Sequence, residues 1–335
     1  MLVTGAAGFV GFHLSQRLAG QGIGVLGIDS LTDYYDVRLK QARLAELSAL
    51  AEFRFEQMDV ADTARLSAAH RAFAPDVVVH LAAQAGVRYS ITNPHAYGHA
   101  NLTGFLSMLE CVRAHPVQHF IYASSSSVYG ANTKVPFAET DLVEQPVSLY
   151  SATKRANELM ARTYAHLYRI PSSGLRFFTV YGPWGRPDMA YWSFTEAILA
   201  GRPIEVFNNG DMWRDFTYVD DVIEAIERLL VCPPDEALRG RIGVSESAPH
   251  VIYNIGNHSP VRLDQFIATI EAAAGRAAVR VMKPMQPGDV PQTYADVARL
   301  AAVTGFEPRT PLDVGIARFV TWYREHAAKA AGGAG

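Results

Sequence analysis

The stretch Leu2-Val3-Thr4-Gly5-Ala6-Ala7-Gly8-Phe9-Val10-Gly11 decides the predicted fold. It joins a short apolar strand, a loop with three evenly spaced glycines and the start of a helix, which is the context that a dinucleotide-binding motif needs. In such a motif Gly5 allows the tight turn, Gly8 lets a pyrophosphate approach the backbone, and Gly11 lets the helix pack on the strand. The first N–H groups of the helix remain available to bind phosphate.

The next predicted strand, residues 24–28, ends in an acidic residue, Asp29. A carboxylate about 20 residues beyond the glycine motif binds the ribose hydroxyls of a dinucleotide. Because it also repels a 2′-phosphate, the sequence favours NAD over NADP. A third strand, residues 54–58, ends at Asp59 and Val60, which we expect at the adenine edge of the cofactor.

Strands and helices alternate through the first half of the chain, including an apolar run at 75–83 that is typical of a buried parallel strand. This alternation predicts an α/β fold, a Rossmann-type doubly wound parallel sheet with a smaller, discontinuous C-terminal substrate lobe. The predicted segments are an NAD-binding domain at 1–180 with returning segments near 214–232 and 251–258, a mainly substrate-binding lobe at 181–326, and a disordered tail at 327–335.

Tyr150 and Lys154 are the strongest catalytic candidates. They stand four residues apart in a helix predicted over 151–167, so both side chains project from one face. An ammonium beside a phenol stabilises the phenolate and lowers the phenol's pKa from about 10, which makes Tyr150 a general base near neutral pH. Upstream, Ala123-Ser-Ser-Ser-Ser-Val-Tyr-Gly130 ends an apolar strand in four hydroxyls, at the edge where open α/β sheets bind ligands.

Composition and charge argue against several other classes of protein. The chain has 335 residues, 49% of them hydrophobic, and a net charge of −3, which indicates a soluble enzyme without general affinity for nucleic acid. Two widely separated cysteines, Cys111 and Cys232, argue against a disulfide framework and a structural zinc site, and no metal is expected. We find no signal peptide and no apolar run long enough for a membrane, so we expect a cytoplasmic location.

These motifs, together with His80-Leu-Ala-Ala83 and Arg214-Asp-Phe-Thr-Tyr-Val-Asp220, resemble the extended short-chain dehydrogenase/reductase family of nucleotide-sugar enzymes. The resemblance covers nearly the whole chain, from Leu2 to about Tyr323. Three stretches are most similar to the UDP-glucuronate 4-epimerases within that family, namely Ala85-Gly-Val-Arg-Tyr-Ser90, Gly182-Pro-Trp-Gly-Arg-Pro-Asp-Met189 and Met285-Gln-Pro-Gly-Asp-Val290.

The resemblance implies a tightly bound NAD that is not consumed, a UDP-sugar substrate and often a homodimer. It also implies that Ser125, Tyr150 and Lys154 are the catalytic group, and that Arg214 and the loop from Gln286 to Asp289 contact the phosphates and uridine. The predicted cofactor-binding residues are Gly5, Gly8, Phe9, Val10, Gly11, Asp29, Asp59, Val60, Leu81, Ala82, Ala83, Asn101, Ser124, Tyr150 and Lys154. The predicted substrate-binding residues are Arg88, Ser125, Ser126, Ser127, Thr179, Arg186, Arg214, Gln286 and Asp289.

The serine cluster bears on the substrate. Oxidation at C4 of a glucuronic acid gives a β-keto acid, which loses CO2 unless the carboxylate is held out of alignment with the carbonyl. We expect Ser126, Ser127 and Thr179 to cradle that carboxylate. Decarboxylating relatives carry a Glu directly before the Val-Tyr-Gly, and 4,6-dehydratases an Asp-Glu pair, whereas this chain has serines there.

The sequence therefore favours interconversion of UDP-glucuronate and UDP-galacturonate through a 4-keto intermediate. The main alternative is a 4-epimerase of UDP-glucose and UDP-galactose or of N-acetyl sugars, and a decarboxylase or dehydratase is less favoured. Two further classes stay open: a net oxidoreductase that releases NADH, and a catalytically silent NAD-binding regulator. The intact Tyr150 and Lys154 pair counts against the regulator.

Overall fold

A computed structural model describes residues 1–244, 247–286 and 288–332. The strands of this part of the chain are β1 (Leu2–Thr4), β2 (Val25–Asp29), β3 (Phe53–Gln57), β4 (Val77–His80), β5 (His119–Ser125), β6 (Ser172–Phe177), β7 (Thr179–Tyr181), β8 (Ile204–Val206), β9 (Trp213–Tyr218), β10 (His250–Ile255), β11 (Pro260–Arg262) and β12 (Arg280–Met282). Seven of them form one sheet in the order β10-β6-β5-β4-β1-β2-β3, and every neighbouring pair is parallel. This sheet confirms the predicted doubly wound fold.

The α-helices are α1 (Phe9–Gly20), α2 (Val37–Ser48), α3 (Thr63–Phe73), α4 (Tyr89–Thr92), α5 (Pro94–Tyr97), α6 (Gly104–Ala114), α7 (Leu149–Tyr168), α8 (Ala190–Ala200), α9 (Val219–Leu230), α10 (Glu236–Arg241), α11 (Leu263–Ala274), α12 (Ala298–Thr304) and α13 (Leu312–Gly332). A π-helical segment, Gly98–Thr103, joins α5 to α6, and short 3₁₀ helices span Ser126–Tyr129 and Phe207–Gly210. Within the described residues no helix is both long and apolar enough to cross a bilayer.

The core lies on both faces of the large sheet. Successive residues of a strand point to opposite faces, and the sequence supplies apolar residues at both. Val3 of β1 and Val79 of β4 belong to the cluster on one face, whereas Leu2 and Val78 belong to the cluster on the other. Continuous apolar strands of this kind require helices on both sides. Both faces are therefore covered, and the glycine loop and the serine cluster lie beyond the carboxyl ends of β1 and β5.

The order of the strands in the large sheet determines where a ligand can bind. The chain runs from β1 to β2 on one side, and β4 later pairs with β1 on the other side, with Leu2 opposite both Leu26 and Val78. Ligands of open α/β sheets bind at such a reversal, beyond the carboxyl ends of the strands. The loops after β1, β4 and β5 therefore meet where the sequence predicts the cofactor.

The second half forms two small sheets. One has the order β11-β9-β7 and the other pairs β12 with β8. The chain returns to the edge of the large sheet with β10, which overlaps the segment predicted near 251–258. The other predicted returning segment, 214–232, forms β9 of a small sheet and helix α9, whose Val222 and Ile226 belong to the core cluster on one face of the large sheet. Apolar residues of the main core cluster, including Tyr181, Val219 and Phe319, continue from the large sheet into this lobe.

The prediction of a disordered tail from residue 327 is wrong for the described residues. Helix α13 continues to Gly332, six residues beyond His326. Residues 327–332 include four alanines, and alanine has the highest helix propensity, so the helix continues. Residues 333–335 lie outside the described part of the chain.

Gly11 gives a direct test of the close contact between helix and loop. A Cβ atom at Gly11 would lie 2.1 Å from the carbonyl oxygen of Gly5, so backbone would have to move. We expect Gly11→Ala to lower the free energy of unfolding by roughly 1–3 kcal/mol, measured by denaturation followed by circular dichroism. The matched control is Gly20→Ala in the same helix, where a Cβ would meet no atom within 4 Å. Equal stability of the two variants would contradict the predicted crowding.

Candidate active site

The glycine loop forms a shallow cradle against the end of β4. Gly5 has a positive φ of 72°, and a Cβ there would lie 2.9 Å from the backbone nitrogen of Ala82. A Cβ at Gly8 would lie 2.9 Å from the carbonyl oxygen of Gly5. Helix α1 then begins at Phe9 without a side-chain cap, so the positive end of the helix dipole faces the loop. The cradle thus offers backbone donors at a point where side chains are excluded.

Asp29 stands beside this cradle. The residue is 8% exposed, and its carboxylate accepts hydrogen bonds from the backbone N–H of Ala7 at 3.2 Å and of Leu31 at 2.8 Å. These bonds fix the acid at the end of β2, next to the glycine loop. Asp59, at the end of β3, instead lies exposed and accepts from His99 at 2.8 Å, while Val60 next to it is buried.

Asn101, a predicted cofactor-binding residue, makes hydrogen bonds within the protein. Its Oδ1 accepts from the backbone N–H of Gln84 at 2.8 Å, and its Nδ2 donates to the Gln84 carbonyl and to Thr153 Oγ1, both at 3.0 Å. These bonds engage both polar atoms of the side chain within the protein. Asn101 therefore holds the loop after β4 against helix α7. It lies in the π-helical segment Gly98–Thr103, and π-helical turns occur frequently at functional sites.

Helix α7 places Tyr150 and Lys154 at the end of β5. The helix starts with a capping box in which Ser148 Oγ accepts from the backbone N–H of Ser151 at 3.1 Å. Lys154 is 3% exposed, and its Nζ donates to the Ala123 carbonyl at 2.9 Å. Ser125, the last residue of β5, lies close enough to Tyr150 to affect the phenol's ionisation. The structure thus brings the three predicted catalytic residues together.

Burial and neighbouring polar groups act on the pKa values of Tyr150 and Lys154. Burial raises the pKa of Tyr150, and the groups that act in the opposite direction are the Ser125 hydroxyl and the Arg186 guanidinium. Burial also lowers the pKa of Lys154 to about 8, because a nearly dry site disfavours its charged form. In this structure the Lys154 ammonium donates to the Ala123 carbonyl, and a lowering of the Tyr150 pKa by Lys154 stays a prediction.

The serines after Ser125 form a turn. Residues Ser126–Tyr129 make a 3₁₀ helix, and the backbone N–H of Ser127 donates to Ser125 Oγ at 3.2 Å. Within the described residues, Ser127 Oγ is buried and has no hydrogen-bond partner, so this hydroxyl can bond to a ligand. Ser124 differs, because its hydroxyl donates to Glu158 at 2.6 Å. Thr179 lies partly buried in β7.

The predicted substrate arginines occupy three environments. Arg186 pairs with Asp188, with Nε and Oδ1 3.0 Å apart, and Asp188 also accepts from the Tyr34 hydroxyl at 3.0 Å. Arg214 pairs with Asp289 at 2.7 Å, which joins two predicted uridine-diphosphate contacts. Arg88 is exposed and lies over the Phe207 ring at 5.1 Å.

The loop containing Asp289 also holds Gln286. The backbone N–H of Asp289 donates to the Gln286 carbonyl at 3.3 Å. Within the described residues, the side-chain Oε1 of Gln286 is buried without a partner. A buried amide oxygen of this kind fits a ligand donor such as a base N–H. Pro287, between the two, lies outside the described residues.

Arg43 is a positioning residue that the sequence analysis missed. It is fully buried and donates to the carbonyls of Ala7 at 2.7 Å and Trp184 at 2.6 Å. It therefore ties the glycine loop to the loop that carries Arg186. The spacing of Leu39, Arg43 and Leu47, four residues apart on one helix face, was the available signal.

The sequence profile of the NAD-dependent epimerase/dehydratase family matches residues 1–256. The chain belongs to this family. The match confirms the resemblance found in the sequence motifs. A curated relative, the probable UDP-glucuronate 4-epimerase of Rhizobium meliloti (strain 1021), is 49% identical over 334 residues, which are 98% of this chain and 98% of the relative.

Two solved structures are similar over their whole length. The UDP-glucuronic acid 4-epimerase from Bacillus cereus, in complex with UDP-glucuronic acid and NAD, aligns with a TM-score of 0.88 and 31% identity over 97% of this chain and 99% of that chain. The UDP-glucose 4-epimerase of Thermotoga maritima, with UDP-glucose, aligns with a TM-score of 0.84 and 29% identity over the same shares.

The NAD on which this family depends fits the residues present here. The glycine cradle leaves room where a Cβ would collide, the uncapped start of α1 suits a diphosphate, and the oriented carboxylate of Asp29 suits ribose hydroxyls. Gly5, Gly8, Asp29, Tyr150 and Lys154 would hold the cofactor. Bound there, NAD supplies reversible hydride chemistry at an alcohol carbon.

The depressed pKa of Lys154 predicts a pH-dependent stability. The unfolded chain binds this proton up to about pH 10.5, whereas the folded protein releases it near pH 8, so this group makes stability rise with pH across that window. In protein freed of nucleotide, we expect Lys154→Met to be more stable than the wild type below pH 8, by roughly 2–3 kcal/mol. The gain should shrink towards pH 10.

Urea denaturation at a series of pH values measures the difference in unfolding free energy between Lys154→Met and the wild type. Lys134→Met is the matched control, because the Lys134 side chain is 64% exposed. Its stability difference from the wild type should not shrink as the pH rises. A gap between Lys154→Met and the wild type that stays constant from pH 7 to pH 10 would contradict the prediction.

Proposed function

We propose that the protein is a UDP-glucuronate 4-epimerase, which interconverts UDP-glucuronate and UDP-galacturonate and keeps its NAD bound throughout. The observation that carries this proposal is the serine turn beside Tyr150, with a buried hydroxyl on Ser127 that lacks a partner within the described residues. Neutral hydroxyl donors suit a carboxylate, and a site without one would leave the Ser127 group unsatisfied.

Proton transfer at the sugar O4 belongs to Tyr150. Its phenolate accepts the O4 proton as C4 is oxidised, and the phenol returns the proton when C4 is reduced. Ser125 orients the same oxygen by hydrogen bonding, and the Ser125 hydroxyl and the Arg186 charge favour the phenolate against the effect of burial. The cofactor accepts the C4 hydride and later returns it to the opposite face of the keto-sugar, which inverts the configuration.

The serine turn protects the intermediate. A 4-keto-hexuronate decarboxylates when its C5–CO2 bond aligns with the carbonyl π system. Hydrogen bonds from Ser126, Ser127 and Thr179 hold the carboxylate away from that alignment. The turn carries no carboxylic acid in the position before Val128, so the proton donor that a decarboxylase or dehydratase would use there is missing.

The relatives support the choice of sugar. The Rhizobium relative is named as a probable UDP-glucuronate 4-epimerase, and the Bacillus cereus structure holds UDP-glucuronic acid with NAD. The similarity to the Thermotoga UDP-glucose 4-epimerase supports the alternative substrate, a UDP-sugar with a neutral hexose. On the nucleotide side, Arg214, Gln286 and Asp289 bind the uridine diphosphate, and Arg88 adds a cation at the edge of the site.

The decisive experiment supplies UDP-glucuronate to the purified protein without added NAD and follows the sugar signals by NMR. We expect UDP-galacturonate with its carboxylate retained, and a nearly complete loss of turnover in Tyr150→Phe with the nucleotide still bound. Epimerisation of UDP-glucose with no action on UDP-glucuronate would refute the assignment. A main product of UDP-xylose or its 4-keto precursor would refute the protective role of the serine turn.

We also propose a homodimer built on helices α6 and α7. Apolar side chains on these helices are solvent-exposed in the single chain: Leu106 at 42%, Leu159 at 49% and Leu167 at 60%. Two copies of each helix would form a four-helix interface. Because α7 also carries Tyr150 and Lys154, assembly steadies the catalytic group.

Light scattering at micromolar concentration tests this assembly. We expect twice the mass of one chain for the wild type and a shift towards monomer for Leu159→Glu, because a charge opposes burial of this face. Val231→Glu is the control, since Val231 is 81% exposed and follows α9, away from the proposed interface. A monomeric wild type would rule the dimer out.

A further inference from the structure

A buried ion pair lies behind the serine turn. Glu158 of α7 and Arg176 of β6 have side chains that are 1% and 2% exposed, and they are joined by two bonds of 2.8 and 2.9 Å. Glu158 follows Lys154 by four residues, as Lys154 follows Tyr150. All three therefore share one face of α7, and Glu158 fixes that face to the neighbouring strand.

The pair holds both ends of the serine turn. At the start, the Ser124 hydroxyl donates to Glu158 Oε1 at 2.6 Å. At the end, the Arg176 guanidinium lies over the Tyr129 ring at 4.8 Å, and the Tyr129 hydroxyl donates to Asn254 Oδ1 at 2.7 Å. The residues proposed to contact the sugar, Ser125 to Ser127, lie between these two fixed points.

Simple stability does not account for such a pair. Buried ion pairs lose most of their attraction to desolvation, and apolar pairs of the same size often stabilise a fold as well or better. Directional bonds, however, can set an orientation that apolar contacts leave free. Within the described residues Arg176 Nη1 has no acceptor, so the hydrogen bonds that orient the guanidinium on Nε and Nη2 go to Glu158.

We propose that the Glu158–Arg176 pair positions the serine turn relative to Tyr150 and thereby keeps the C5 carboxylate of the 4-keto-sugar out of line for loss of CO2. This rests on the proposed function and adds four positioning residues to it: Ser124, Tyr129, Glu158 and Arg176. None of them contacts the sugar. They act through Ser125 to Ser127, and they join the carboxylate-binding turn to the proton-transfer helix.

A displaced turn has a defined chemical consequence. The C5–CO2 bond breaks, its electron pair enters the C4 carbonyl to give an enolate, and C5 then takes a proton from solvent. The products are CO2 and a UDP-4-keto-pentose, and the hydride removed from C4 stays on the cofactor. The share of this product therefore reports the orientation of the turn, and a general loss of stability leaves that share unchanged.

Ser124→Ala is the cleanest test, because it removes one buried hydroxyl bond and no charge. We expect the ratio of UDP-4-keto-pentose to UDP-galacturonate to rise roughly two- to tenfold, the effect of one hydrogen bond. Glu158→Gln, which keeps an acceptor for Ser124 but weakens the hold on Arg176, should change the ratio in the same direction. The matched control is Ser107→Ala, a buried, hydrogen-bonded serine on α6, which should leave the ratio unchanged.

Binding gives a second measurement that needs no turnover. In a Tyr150→Phe background, calorimetry compares UDP-glucuronate with UDP-xylose, which lacks the carboxylate. We expect Ser124→Ala to reduce the preference for UDP-glucuronate by a similar factor. Should Glu158→Gln fail to fold, the double variant Glu158→Gln/Arg176→Met replaces it, because it leaves no unpaired buried charge.

The outcomes separate the two proposals. Suppose that the Tyr150→Phe protein binds UDP-glucuronate better than UDP-xylose. If Ser124→Ala and the folded Glu158 variants then keep both this binding preference and the wild-type product ratio, the positioning role is wrong and the proposed function stands. If the Tyr150→Phe protein shows no preference for UDP-glucuronate over UDP-xylose, the proposed function fails and the positioning role fails with it.

Discussion

The contact between helix α7 and the carboxyl end of β5 is the constraint on which the site depends. Lys154 is buried at this contact and bonded to the Ala123 carbonyl, one helical turn from Tyr150 and one from Glu158. A buried ammonium is costly, so the helix can dock only in the register that supplies this acceptor. That register brings the phenol of Tyr150 to Ser125 and the carboxylate of Glu158 to Ser124.

A second set of bonds brings the remote loops to this centre. Arg43 joins the glycine loop to the loop of residues 184–186, and Asn101 joins the end of β4 to α7. Each makes several bonds to backbone groups, so it fixes the course of the chain rather than one neighbouring side chain. The nucleotide and sugar halves of the site are in this way built on a common frame, although they come from distant parts of the sequence.

The sequence predicted the first half well for a physical reason. Strands buried on both faces must be continuously apolar, and glycines must stand where the backbone approaches itself, so Val77–His80 and Gly5 to Gly11 leave clear patterns. The small strands leave weaker patterns, because β7 has only three residues and the charged residues Arg214 and Asp215 interrupt β9. The sequence also did not predict the hydrogen bonds of Ser124 to Glu158 and of Asn101 to Gln84 and Thr153. The partners of these side chains come from other elements of the fold.

The position of β10 has a consequence for how the chain must be made. β10 pairs along its whole length with β6, with His250 opposite Ser172 and Ile255 opposite Phe177, yet more than 70 residues of the second lobe separate the two strands in sequence. During synthesis, β6 therefore emerges as an open sheet edge long before its partner, and such edges invite pairing with other chains. A nascent chain stopped before residue 250 would carry that edge permanently, so chaperone protection in this interval would favour soluble yield.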